Sequence, residues 1–290
     1  MNIIEPLAGL FHYHFMQNAF IAGTVVAVLA GTVGYFMVLR AQSFAGHSLA
    51  NVGFAGATGA ALFGVTPLLG LFVSGVLAAF GIHWLGMSSG HSKRSDVATG
   101  AVFSASLALG FLFIHLSNAQ TNNVYNVLFG NVLGISDFDV LITCIAAVLA
   151  LALILLATRP LLFASIDPLV AEARGVPVNF LGLGFLLVLS LVVAVAVQVV
   201  GVLLIFALLV TPAASARRLS SIPMVEISLS VILAVIFAWA GLAAGYFTPY
   251  PVSFFITSFA FGFYVLVRLA NVLRRVPTLS PQVNSMEGNK

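Results

Sequence analysis

Charge is what this chain has least of. Eleven of its 290 residues are Lys or Arg and eight are Asp or Glu, 7% together, where soluble domains carry about a quarter. That deficit excludes an ordinary soluble globular domain. Lysine is confined to Lys93 and Lys290, so the phosphate-cradling G-x-x-x-x-G-K-[ST] loop cannot be built and the chain does not itself burn ATP. The lone cysteine, Cys144, lies in an apolar run, which rules out an intrachain disulfide and leaves packing as its role. There is no H-E-x-x-H, and the eight acidic residues sit at or near the ends of apolar runs, Glu226 being nearest to an interior. Paired carboxylates for acid–base work and a carboxylate proton relay are therefore missing, which argues against an intramembrane hydrolase and a proton-coupled carrier. GMSSG at Gly86–Gly90 matches G-x-S-x-G, but it ends an apolar run instead of joining a strand to a helix. Glu5 and the absence of Lys or Arg ahead of the first run deny the N-terminus the basic region of a cleavable signal peptide, so the first span is expected to stay.

What the chain has in abundance is apolar length, 61% of its residues. Runs of ~20 apolar residues cross a bilayer as helices, and these are too long and continuous for the alternating strands of a barrel. The fold class read from this is an all-α polytopic membrane bundle of nine spans: 17–39, 43–64, 67–87, 97–117, 138–158, 179–199, 201–219, 224–246 and 252–273. Eight remain possible if one early run is re-entrant. Residues 1–276 then form one transmembrane domain, 277–290 a polar Pro-containing flexible tail, and VYNVLFGNVLGI within Asn118–Asp139 a short re-entrant or interfacial helix. The net charge of +3 does not imply nucleic acid, because the basic residues are scattered through short junctions. They sit at odd-numbered junctions: Arg40, Lys93 and Arg94, Arg159 and Arg174, Arg217 and Arg218, then Arg268, Arg274, Arg275 and Lys290. By the positive-inside rule that parity places the N-terminus outside and the C-terminus in the cytoplasm.

Against this background a few polar residues stand out. His47 and Asn51, inside RAQSFAGHSLANVGFAGATGAALFG (40–64), are four apart and share a helix face. Gly46, Ala50, Gly53, Ala57 and Ala60 fall near the same side and admit a neighbouring helix closely. A polar pair beside a close contact reads either as a lined route or as hydrogen-bonding glue between helices, and both readings stay open. His115, near the outer mouth, and Gln198, at the thin break between the sixth and seventh spans, are weaker route candidates with interfacial or turn-capping alternatives. His83 beside Trp84 reads as an interfacial histidine, and His12 and His14 as external ones. The insertion RPLLFASIDPLVAEARGVPV (159–178) carries its own helix signals: Asp167 to cap, Pro168 at the first position and Gly175 just past the end. Leu169, Val170 and Ala173 beside Glu172 and Arg174 make it a candidate partner-docking helix.

Five segments together resemble the membrane permeases of the zinc, manganese and iron ATP-binding-cassette importers. They are LRAQSFAGHSLANVGFAGATGA (39–60), RSDVATGAVFSASLALGFLFI (94–114), NVLFGNVLGIS (126–136), IDPLVAEARGVPV (166–178) and QVVGVLLIFALLVTPAASARRL (198–219). The resemblance implies a homodimer in the bacterial inner membrane, two cytoplasmic ATPase subunits that carry the ATP, an extracytoplasmic solute-binding protein, no stably bound cofactor and no enzymatic activity of its own. It also implies that Asp167, Glu172, Arg174 and Gly175 belong to the ATPase-coupling segment. The family's GDALSHA segment falls on Gly46 to Val52, so its metal-contacting Asp and His are replaced by His47 and Asn51. Imidazole without carboxylate suits softer ions than Mn²⁺, which puts zinc ahead of manganese and iron as the transported metal and His47 forward as its ligand. A metal chelate or small solute is the alternative cargo, and an ATPase-independent carrier or intramembrane enzyme the rival of another class.

Overall fold

The fold was obtained as a computed structural model, which describes residues 13–87, 92–117, 130 and 134–275. Ten helices make up the described residues: α1 (His14–Leu39), α2 (Ser43–Leu62), α3 (Pro67–Met87), α4 (Ser92–Ser117), α5 (Asp137–Ile166), α6 (Pro168–Ala173), α7 (Val178–Val200), α8 (Val202–Leu219), α9 (Pro223–Phe247) and α10 (Val252–Arg275). The nine long ones answer to the nine expected spans. Eight of them are long and apolar enough to cross a membrane; α2 is the exception. Its 20 residues are diluted by glycine, alanine, serine, His47 and Asn51, the composition of a helix that faces protein instead of lipid. His12, Ser88–Gly90 of the GMSSG motif, the tail 277–290, and all but a few residues of the expected interfacial helix lie outside the described residues.

α1 runs through the middle. It packs on α9, α8, α5 and α7, while α2 with α3 and α4 forms a second group and α10 closes against α8 and α9. Phe36, Met37, Leu29, Met16 and Tyr35 on α1 are all essentially excluded from the surface. Helices meet this closely only where side chains vanish. A Cβ at Gly34 would strike the Leu209 carbonyl of α8, and one at Gly56 would strike the Gly70 carbonyl of α3. In hydrocarbon, where lipid competes equally for apolar surface, such backbone approaches are what hold helices together.

One boundary departs from the sequence reading. α5 does not stop at 158 but continues through Pro160 to Ile166, 30 residues in all. An interior proline loses the bond to the carbonyl four residues earlier and crowds that carbonyl, yet the helix continues through it. At about 1.5 Å per residue α5 is roughly 45 Å long, more than a hydrocarbon core of roughly 30 Å requires. Its C-terminal end carries Arg159 and leads into the short α6.

The other end of α5 is gripped by its first turn. Ser136 and Asp139 form a reciprocal capping box, and both aspartates of that turn reach other helices. Asn18 Nδ2 of α1 donates to Asp137 Oδ1 at 2.7 Å, and Gln198 Nε2 of α7 donates to Asp139 Oδ1 at 2.7 Å. His14 Nδ1 stands 3.7 Å from Asp137 Oδ1. α7 and α8 are split at Gly201, whose φ of 84° is left-handed and open only to glycine at low cost. Gly130, itself at φ 76°, rests against the Val200–Gly201 backbone, where a Cβ would have no room.

Candidate functional site

His47 lies in the second turn of α2, about 6 Å along the axis from the helix start at Ser43. Asn51 sits one turn further, and its Nδ2 donates to the His47 carbonyl at 2.9 Å while lying 3.4 Å from His47 Nε2. The two polar groups are thus mutually engaged as the i, i+4 spacing requires. The imidazole is wedged between two rings from other helices: Phe206 of α8, centroids 4.9 Å apart and inclined at 66°, and Phe103 of α4, 5.8 Å apart at 38°. Nδ1 is buried and has no hydrogen-bond partner among the described residues. The pair therefore sits, half-buried, at the junction of α2, α4 and α8. Gly46, Ala50, Gly53, Ala57 and Ala60 are buried along α2, and Gly46 leaves space that the Met37 sulfur of α1 occupies.

As ligands the pair is incomplete. It offers one imidazole nitrogen and, after rotation of the amide, one oxygen. No group of three or more His, Cys, Asp or Glu gathers anywhere among the described residues. Four-coordinate closure of a structural metal site needs twice what one copy supplies.

The remaining candidates are dispersed. Gln198, with its amide on Asp139, and the exposed His115 at the last turn of α4 both lie far along the sequence and the fold from the His47 junction. His83 is half-buried on α3. The docking segment is built as its residues dictate: Asp167 Oδ1 accepts from Val170 N at 3.0 Å, Pro168 occupies the first turn, and Gly175 takes φ 82° just past the end. A cap of this kind is worth about 1 kcal/mol, enough to pin a helix of six residues already fused to α5. Leu169 is 78% exposed, and Ile166, Val170, Glu172, Arg174 and Phe180 are exposed beside it. That is an apolar surface rimmed by charge at the C-terminal end of α5.

The pattern of the ABC 3 transport family matches residues 12–271. The chain belongs to that family. Among relatives of this ABC 3 protein, the manganese transport system membrane protein MntC of Listeria monocytogenes is 34% identical over 244 residues, covering 84% of this chain and 85% of the relative. The manganese import system permease protein ScaB of Streptococcus gordonii is 36% identical over 245 residues, with coverage of 84% and 87%. The structure described as PsaBC from Streptococcus pneumoniae in complex with Fab superposes with a TM-score of 0.81 at 34% identity, covering 91% of this chain and 95% of that one. The chain is thus a multi-pass membrane permease of a metal-importing family. The preference for zinc read from the imidazole is not supported, because these relatives are named for manganese; manganese, the alternative, is the better fit. Coordination chemistry ranks intrinsic affinities, but a transporter's selectivity also depends on geometry and metal supply.

Sequence reasoning missed the two rings that clamp His47. Phe103 and Phe206 come from helices far apart in the chain, and nothing local to either marks it. It also treated Arg40 only as a charge that orients the first loop. The structure buries that guanidinium against Ser165 and Phe185, and the burial lowers its pKa from the ordinary arginine value by disfavouring the charged form.

Proposed function

We propose that this chain is the permease subunit of an ATP-driven importer for a divalent transition-metal ion, manganese foremost. It works as a pair of copies with two cytoplasmic ATPase subunits and an extracytoplasmic binding protein. The observation that carries the reading is the placement of the half-buried His47 and Asn51 where α2 meets Phe103 of α4 and Phe206 of α8, within a chain whose relatives are named as manganese permeases. The orientation follows the arginines: the end bearing Arg40, Asp167, Glu172, Arg174 and Gly175 faces the cytoplasm, and the end bearing Asp137, Asp139 and Gln198 faces out.

Two copies would bring two imidazoles and two amides to the ion. All four are neutral, so no fixed charge compensates a dication held in a low-dielectric interior. Weak holding is what passage requires, since a tightly closed site would release too slowly. The α6 surface, with Leu169 and Val170 between Glu172 and Arg174, receives the ATPase and passes its closure to the bundle. A second reading is favoured by one observation, the aromatic clamp on a charge-free pair: a metal carried with its own ligands, or a small organic solute, would meet apolar walls and two hydrogen-bonding groups. Uptake of radioactive Mn²⁺ by cells with and without the chain, under manganese scarcity and in competition with Fe²⁺ and with chelated metal, separates the two. Uptake that depends on the chain and on the ATPase supports the first; Mn²⁺ accumulation indifferent to the chain refutes it.

A further inference from the structure

The corner between α1 and α2 holds an unusual concentration of unsettled groups. Ala41 has φ 55°, the sole non-glycine residue with positive φ among the described residues, a conformation that costs an L-residue roughly 1–2 kcal/mol. On either side of it, Arg40 Nε and Gln42 Oε1 are buried without hydrogen-bond partners. Strained backbone and unpaired polar groups persist only where the surroundings over-determine them, and they cluster where something must move.

The surroundings here are specific. The last turn of α1 is held on two sides: Tyr35 stands beside the Glu226 carboxylate of α9, and Arg217 Nη1 of α8 donates to the Val38 carbonyl at 3.3 Å. On the third side Arg40 Nη1 reaches Ser165 Oγ of α5 at 3.5 Å, and its guanidinium carbon lies 5.5 Å from the centre of the Phe185 ring of α7. Ser165 also donates to the Leu161 carbonyl and stands two residues before Asp167, the cap of α6. Past the corner, Gly46 N bonds the Gln42 carbonyl at 3.2 Å, so α2 starts directly from it and His47 follows within two turns. Arg40 joins the corner leading to His47 with the segment leading to α6. Its contact with Ser165 is long, and among the described residues its charge has no carboxylate partner. It is therefore held by geometry that a small shift of α5 would change.

We propose that Arg40 is the positioning residue through which displacement of the 166–175 segment reaches His47, with Arg40–Ala41–Gln42 as the joint. α1, held at Tyr35 and Val38, is the fixed side; α2 is the side that turns. This rests on the reading of the chain as an ATPase-driven permease. Fork and ring stacking are properties of a guanidinium that an ammonium does not share, so charge alone does not substitute.

The test uses the complete importer, with its ATPase and binding protein, in proteoliposomes with Mn²⁺ as probe, and reads metal moved per ATP hydrolysed. A misfolded variant loses assembly and hydrolysis together, whereas a broken joint lowers the ratio while hydrolysis continues. Arg40→Ala is expected to lower the ratio roughly tenfold, the change that losing one hydrogen bond to a charged group produces. Arg40→Lys restores it only in part, and Ser165→Ala, which deletes a single hydroxyl, lowers it in the same direction. An unchanged ratio in Arg40→Ala or full restoration by Arg40→Lys overturns the proposal; if Arg40→Ala fails to assemble, an unchanged ratio in Ser165→Ala does so. A wild-type complex that moves no Mn²⁺ with ATP refutes the functional reading and this inference with it. Wild-type transport with an unaltered Arg40→Ala ratio removes this inference alone.

Discussion

Replacing His47 by alanine perturbs the site most directly, and the structure sets what the change costs. The imidazole loses its contacts with Phe206 at 4.9 Å and Phe103 at 5.8 Å. Aromatic pairs of this kind contribute about 0.5–1.5 kcal/mol each, so the folded state loses roughly 1–3 kcal/mol. Asn51 keeps its 2.9 Å bond to the residue-47 carbonyl, because that acceptor is backbone. The variant should therefore insert and pair with the ATPase, melting somewhat earlier in detergent. Transport should suffer far more. One of the two donors in each copy is gone, and the loss should exceed the roughly 10–100-fold in metal affinity that removing even an outer-shell partner costs. The assay is the initial rate of radioactive Mn²⁺ uptake across a concentration series, in cells matched for permease in the membrane fraction. A rise in KM or collapse of uptake of at least tenfold, with ATPase subunits still co-purifying, is expected. A His47→Ala importer with wild-type rate and KM would refute the assignment of the pair, whatever the relatives do.

Exchanging charges in the docking segment, Glu172→Arg with Arg174→Glu, should uncouple ATP hydrolysis from uptake while leaving the isolated permease as stable as before, since both side chains are exposed; coupled turnover at the wild-type level would move the docking surface elsewhere. Gly34→Ala pushes a methyl group into the Leu209 carbonyl and should destabilise the α1–α8 contact by about 1–3 kcal/mol, read as a lowered melting temperature in detergent. Gln198→Ala strips Asp139 Oδ1 of its 2.7 Å donor; with a partly exposed acceptor the loss should be about 1 kcal/mol of stability. If Gln198 also lines the route, the same variant changes the KM for Mn²⁺ as well.

The extent to which the site could be read in advance varies residue by residue. His47 and Asn51 were visible because a polar pair at helical spacing contrasts with apolar surroundings, and α6 was visible because its cap, its proline and its terminal glycine act on neighbours within a few positions. The reach of α5 through Pro160 was not, because whether a proline ends a helix depends on what packs around it. Gln198 read equally well as route or as turn; its hydrogen bond to Asp139, 59 residues away in sequence, is a fact of packing. The metal preference misled for a related reason: donor chemistry was legible, while the selectivity of an assembled route was not.

Composition by itself determined that this protein lives in a bilayer as a helical bundle, since long uncharged runs leave the backbone no other way to satisfy its hydrogen bonds without water. The spacing of prolines, glycines and caps likewise determined where most helices begin and end, because those effects act within a turn or two. Only the tertiary structure decided which helices touch. It put two phenylalanines on either side of one imidazole and carried Arg40 across to Ser165, 125 residues away. Where lipid and protein are equally apolar, hydrophobicity cannot rank the alternatives, and the choice falls to shape: which glycine lets which backbone come close.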